Sequence, residues 1–166
     1  MTMRYKYFPA LALAILLAGH GCKTSPTKPA SLSAAWGKPT WGPISEGLQC
    51  RLRAERRTWR LNETPAFNFD LRNNGKRTFT FWPAHKLELV EIEFDGKWHR
   101  WPRDVKTESH VWPLAPGSQF NAVSIELDGR FNIDMKPGKH IVRIAYPLEG
   151  VRVVSNPVGI EIRRAD

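Results

Sequence analysis

The chain has 166 residues, room for one domain once a leader and a linker are subtracted. Apolar residues at 42% and charged residues at 25% are the proportions of a soluble globular body with a real core, not of a disordered chain. The formal charge is +9, and two of those charges belong to the leader, leaving +7 on the remainder, a balance that favours anionic partners.

Arg4 and Lys6 open the chain, Phe8 to Ala18 is an apolar stretch, and Gly19-His20-Gly21 supplies small residues before Cys22. That is the layout of a secretory signal peptide over residues 1–21. The apolar run is well short of the ~20 residues a spanning helix needs. Export moves the expected partner away from nucleic acid and toward anionic lipid headgroups, acidic glycans or acidic protein faces.

Leu16 to Cys22 resembles the lipobox of bacterial lipoproteins, although Gly19 stands where that family prefers Leu. The resemblance implies that Cys22 is diacylated, becomes the mature N-terminus and anchors the protein to a membrane, facing the periplasm or the cell exterior. Plain secretion is the alternative. A lipid on Cys22 leaves Cys50 without an intramolecular partner, as a small buried hydrophobe; without the lipid, a Cys22–Cys50 disulfide becomes available.

Residues 22–40 begin with a stretch rich in Ser, Thr, Pro, Lys and Ala and read as a flexible tether. The domain is expected over 41–166. Leu48, Cys50 and Leu52 alternate with polar residues, the mark of a strand with one buried face, and Trp59 and Leu61 continue an apolar face. Phe67, Phe69 and Leu71 point inward on the next strand, with Asn68 and Asp70 outward. Asn73-Asn74-Gly75 signals a hairpin returning through Phe79 and Phe81.

A further strand is expected from Leu87 to Phe94. It turns at Asp95-Gly96 into Lys97–Trp101, with a three-residue loop that sets Glu93 opposite Lys97 and Trp98 beside Ile92. Residues 102–118 read as a long Pro-bounded loop. Val123, Ile125 and Leu127 lead to a second Asp-Gly turn. Val142, Ile144 and Tyr146 share one face, and the last strand runs to Ile162.

Short strands at roughly 10-residue spacing predict an all-β fold, an antiparallel sandwich of about seven to nine strands. Gly47–Arg53, Asp70–Arg77, Asp95–Trp98, Pro137–His140 and Val154–Val158 resemble an exported bacterial immunoglobulin-like domain family, over about residues 41–163. The resemblance implies an immunoglobulin or fibronectin III-like sandwich with no assigned activity. The Cys–Trp–Cys core of antibody domains is absent from the sequence.

No nucleophile elbow, zinc-protease helix, Walker loop or dinucleotide fingerprint occurs. The chain is therefore expected not to be an enzyme and to need no cofactor. His85, His99, His110 and His140 lack metal-ligand spacing. Glu91 and Glu93 share a strand face and read as charges on a wet surface. Arg51, Arg53, Arg56, Arg57 and Arg60 form the densest basic cluster, suited to anionic lipid or to protecting a sheet edge.

Trp98, Arg100, Trp101 and Trp112, around the long loop, form the candidate binding surface. The leading expectation is a non-enzymatic, membrane-tethered envelope module binding an envelope protein or glycan. The alternatives are a carbohydrate-binding module using the tryptophans and a proteinase inhibitor inserting residues 102–118.

Overall fold

A computed structural model describes residues 35–81, 90–100 and 112–164. The chain is all-β over these residues: eleven strands and one 3-10 turn, Gly129–Phe131. A three-stranded sheet runs β1 (Leu48–Ala54), β3 (Ala66–Asn73), β8 (Gln119–Glu126). A six-stranded sheet runs β2 (Thr58–Arg60), β11 (Val158–Arg163), β9 (Gly138–Leu148), β5 (Glu91–Phe94), β6 (Lys97–Arg100), with β10 (Val151–Val154) also on β9. The short strands β4 (Phe79–Phe81) and β7 (Trp112–Leu114) pair with each other. All pairings are antiparallel except β2 with β11.

Period-two alternation builds the core. Cys50 faces Leu71 and Leu52 faces Phe69 across β1 and β3, and all four are buried. On the six-stranded sheet, Ile92 pairs Ile144 and Phe94 pairs Val142, also buried. The sheets share one apolar cluster. Tyr146 of β9 lies 5.9 Å from the Phe69 ring on β3 and 5.5 Å from Phe81 on β4, so all three sheets meet at one aromatic group.

Asn156 ties the sheets by hydrogen bonds. β1 is an edge strand, and at Leu52 its outer backbone groups are buried. The Asn156 side chain accepts from Leu52 N–H at 2.8 Å and donates to the Leu52 carbonyl at 3.1 Å, standing in for a neighbouring strand.

Several local expectations are corrected. The β5–β6 loop has two residues, pairing Phe94 with Lys97, Glu93 with Trp98 and Ile92 with His99. Asp95 (φ 49°) and Gly96 (φ 87°) both adopt left-handed conformations, as a type I′ turn requires, and its twist matches the strands better than a three-residue loop. Glu93 finds its opposite charge in Arg143 on β9 rather than in Lys97.

Asn73-Asn74-Gly75 does not form a hairpin, because β3 pairs β1 and β8 while β4 crosses to β7. The Asn73 amide explains the departure: Oδ1 accepts from Gly75 N–H, and Nδ2 donates to the Arg77 and Leu114 carbonyls at 2.7 and 2.8 Å. Gly47 is required by contact, since a Cβ there would lie 2.3 Å from the Gly75 Cα.

Leu61 is exposed, in the turn that ends β2. The expected loop over 102–118 contains β7, with Pro113 on a two-stranded ribbon that tolerates a missing donor. The strand count exceeds the expected seven to nine because β2 and β7 have three residues each, too short to show a period, and because β10 follows β9 after a two-residue turn. Of the strand expected from Leu87, residues 91–94 are β5, and its first residues lie outside the described ones.

Within the segment read as a tether, Ala35 is buried and Trp36 stacks on Gly159 of β11, where a Cβ would come within 2.6 Å of the indole. Arg57 secures that segment: Nη1 donates to the Ala35 and Gly159 carbonyls at 2.8 Å, and Nη2 to the Gly37 carbonyl at 2.9 Å. From Ala35 onward the chain is therefore fixed to the sheet, six residues earlier than the composition suggested.

Candidate functional site

A concentration of arginines lies where β2 meets the end of β11. Alternation along β2 sends Trp59 into the core and turns Thr58 and Arg60 outward. The parallel register then places Arg163 beside Arg60 and Glu161 beside Thr58.

Arg56, Arg60, Arg163 and Arg164, with Thr58, Trp59 and Glu63, line a cleft of about 330 Å³. Glu63 is its one carboxylate among the described residues. Oε2 accepts from Arg60 N–H at 2.7 Å and Oε1 pairs with Arg56 at 3.0 Å. Those contacts, the backbone N–H first, hold the Glu63 carboxyl below the ordinary range. The Arg56 guanidinium also stacks 3.9 Å from the Trp59 ring, which fixes its plane. Arg163 makes only an exposed pair with Glu161, at 3.3 Å, a kind of contact worth little in water. Four guanidiniums thus line the cleft, two of them, Arg56 and Arg163, paired with carboxylates.

The rest of the basic cluster is spent internally. Arg51 and Arg53 both bond Asp70, each with a shortest contact of 2.8 Å, and Asp70 is wholly buried beneath them. Asp70 is thus on the outward face as expected, yet covered. Arg57 clamps the segment at Ala35. Only Arg56 and Arg60 of the five line the cleft.

The expected binding surface divides. Trp98 lies on the outer face of β6, with the Arg152 guanidinium 4.2 Å over its ring. Arg100, beside it on that strand, pairs with Glu91 at 2.9 Å. Trp112 belongs to a different sheet, 52% exposed and edge-on to Phe120 at 5.7 Å. Trp101 and Cys22 lie outside the described residues, as do His85, His110 and residues 102–111 of the loop read as inhibitory.

Glu91 is engaged by Arg100 and Arg152, and Glu93 pairs with Arg143 in a buried contact. Glu93 is therefore not a wet-surface charge, whereas Glu91 lies partly exposed among surface arginines. His140 bridges Asp95 and the Lys136 carbonyl at 2.7 Å each and stacks on Phe94. No group of three or more metal-ligating side chains occurs among the described residues. Cys50 is buried and free, and burial pushes its thiol far above the ordinary range.

Sequence reading found Arg56 and Arg60 but missed Arg163, Arg164 and Glu63. The available signal was the Arg163-Arg164 pair closing the last strand, and only the parallel pairing of β2 with β11 unites it with Arg60.

No family model matches the chain, and no curated protein matches it by sequence. Solved structures similar in part include an alkylpurine DNA glycosylase of Pseudomonas fluorescens, at 17% identity and TM-score 0.45, covering 70% of this chain and 30% of that one. A CARDB domain from Pyrococcus furiosus matches at 10% identity and TM-score 0.42, covering 71% and 94%. The sporulation control protein Spo0M of Bacillus subtilis matches at 9% and 0.45, covering 70% and 49%. The chain thus spans under a third of the glycosylase and about half of Spo0M. Likeness at this level assigns no activity.

Proposed function

We propose that the protein is an exported immunoglobulin-like β-sandwich, lipid-anchored at Cys22, that binds an acidic partner of the cell envelope rather than catalysing a reaction. The observation that carries this reading is the convergence of four arginines on one cleft whose single carboxylate among the described residues is already engaged. The sandwich assignment is supported by a three-stranded and a six-stranded sheet contributing to one core. A rigid β scaffold with charged side chains at one end suits recognition, because little order is lost on binding. Pull-down from envelope extract with the wild-type chain and with Arg163→Gln/Arg164→Gln tests it. An acidic component retained by the first and lost by the second is the expected result; equal retention sinks the proposal.

A carbohydrate-binding reading is favoured by one observation, the half-exposed Trp112 braced against Phe120. Such a ring offers a flat apolar face to a sugar. It predicts a fluorescence change with envelope glycans that Trp112→Ala removes. A flat titration discards it.

A further inference from the structure

We infer that the cleft seats the phosphate of an anionic lipid headgroup, a reading that rests on the acidic-partner function proposed above and names the partner's chemistry. Guanidinium groups match phosphate oxygens as planar forks, which favours phosphate over a point-charge ligand. At about 330 Å³ the cleft lies at the low end of the roughly 300–1,000 Å³ that small ligands occupy. That suits a headgroup and is too small for a folded partner to enter.

Placement argues for the membrane as the source. Arg57 clamps Ala35 and Gly37 to the sheet, while its chain neighbours Arg56 and Thr58 line the cleft. The N-terminal segment is therefore attached beside the cleft. A lipid on Cys22 would stand at most about 45 Å along the chain from Ala35, whatever path residues 23–34 take. The segment that leads back to Cys22 thus joins the body at the edge that carries the cleft. Both Glu63 oxygens are occupied by Arg60 N–H and Arg56, and the exposed Glu161 pair of Arg163 is weak enough for a phosphate to displace.

The test uses the full chain carrying Cys22→Ser, so that no lipid contributes. Binding is measured by co-sedimentation with phosphatidylcholine vesicles and with vesicles containing phosphatidylglycerol. The expected result is at least tenfold tighter association with the anionic vesicles. Arg163→Gln and Arg164→Gln should each weaken it about fivefold, the effect of one surface cation near an anionic bilayer. Lys97→Gln, the same charge change on the distant β5–β6 hairpin, should leave it unchanged. Millimolar inorganic phosphate should compete weakly.

Equal binding to both vesicle types overturns the inference, while the acidic-partner reading still stands or falls by the pull-down. An equal loss from Lys97→Gln would show attraction by net charge instead of the cleft, and also overturns it. Complete displacement by inorganic phosphate would assign the site to free phosphate, against the lipid.

Discussion

Replacing Asn156 by Ala tests how the two larger sheets are joined. The Asn156 amide satisfies both backbone groups of Leu52, at 2.8 and 3.1 Å, across 104 residues of sequence. Leu52 is wholly buried, so the truncation leaves one N–H and one carbonyl without partners. Each such group costs about 1–3 kcal/mol, and partial relaxation brings the pair to roughly 3 kcal/mol. Urea unfolding followed by tryptophan fluorescence should show this as a lower midpoint with an unchanged slope. Asn156→Asp keeps the acceptor for Leu52 N–H but sets a carboxylate against the Leu52 carbonyl, so it should cost at least as much. A loss below about 0.5 kcal/mol for Asn156→Ala would refute the reasoning, since water would then be replacing the amide without penalty.

Three further outcomes follow from other contacts. Glu93→Ala strands the buried Arg143 guanidinium and should cost about 3–5 kcal/mol, whereas Glu93→Leu/Arg143→Met should recover most of it in the same urea assay. Glu63 is held below its ordinary 4.5 by Arg60 N–H and Arg56, and Glu149 by Thr80 N–H, the Thr80 side chain and Arg77. Their stabilisation is therefore complete above that value and fades as pH falls through the lower folded values; thermal melts from neutral pH into that acid range should flatten in Glu63→Gln/Glu149→Gln. Gly159→Ala places a methyl 2.6 Å from the Trp36 indole, so limited proteolysis should cut near Trp36 faster in the variant than in the wild type.

The core was legible because burial imposes a simple rule on each long strand. Leu48, Cys50 and Leu52, then Phe67, Phe69 and Leu71, follow period two and are all buried. Turn geometry was legible only in part. Asp95-Gly96 announced a turn, but its length depended on where Glu93 would find a cation, and that cation is on β9, about fifty residues away. Asn73-Asn74-Gly75 carries the same residue types as a hairpin, yet the Asn73 amide uses them to bridge Arg77 and Leu114. The cleft was half visible. Arg56 and Arg60 stood out as a run, whereas Arg163 and Arg164 join them through a parallel pairing between the second strand and the last. No local pattern encodes such a contact.

The central claim is that anions are held between β2 and β11, and backbone amide mapping by NMR tests it most directly. Titration of the Cys22→Ser chain with glycerol phosphate, the soluble part of a headgroup, should move the amides of Thr58, Arg60, Arg163 and Arg164 together along one binding curve. Shifts centred on Trp98 or Trp112, with those four amides still, would contradict the account.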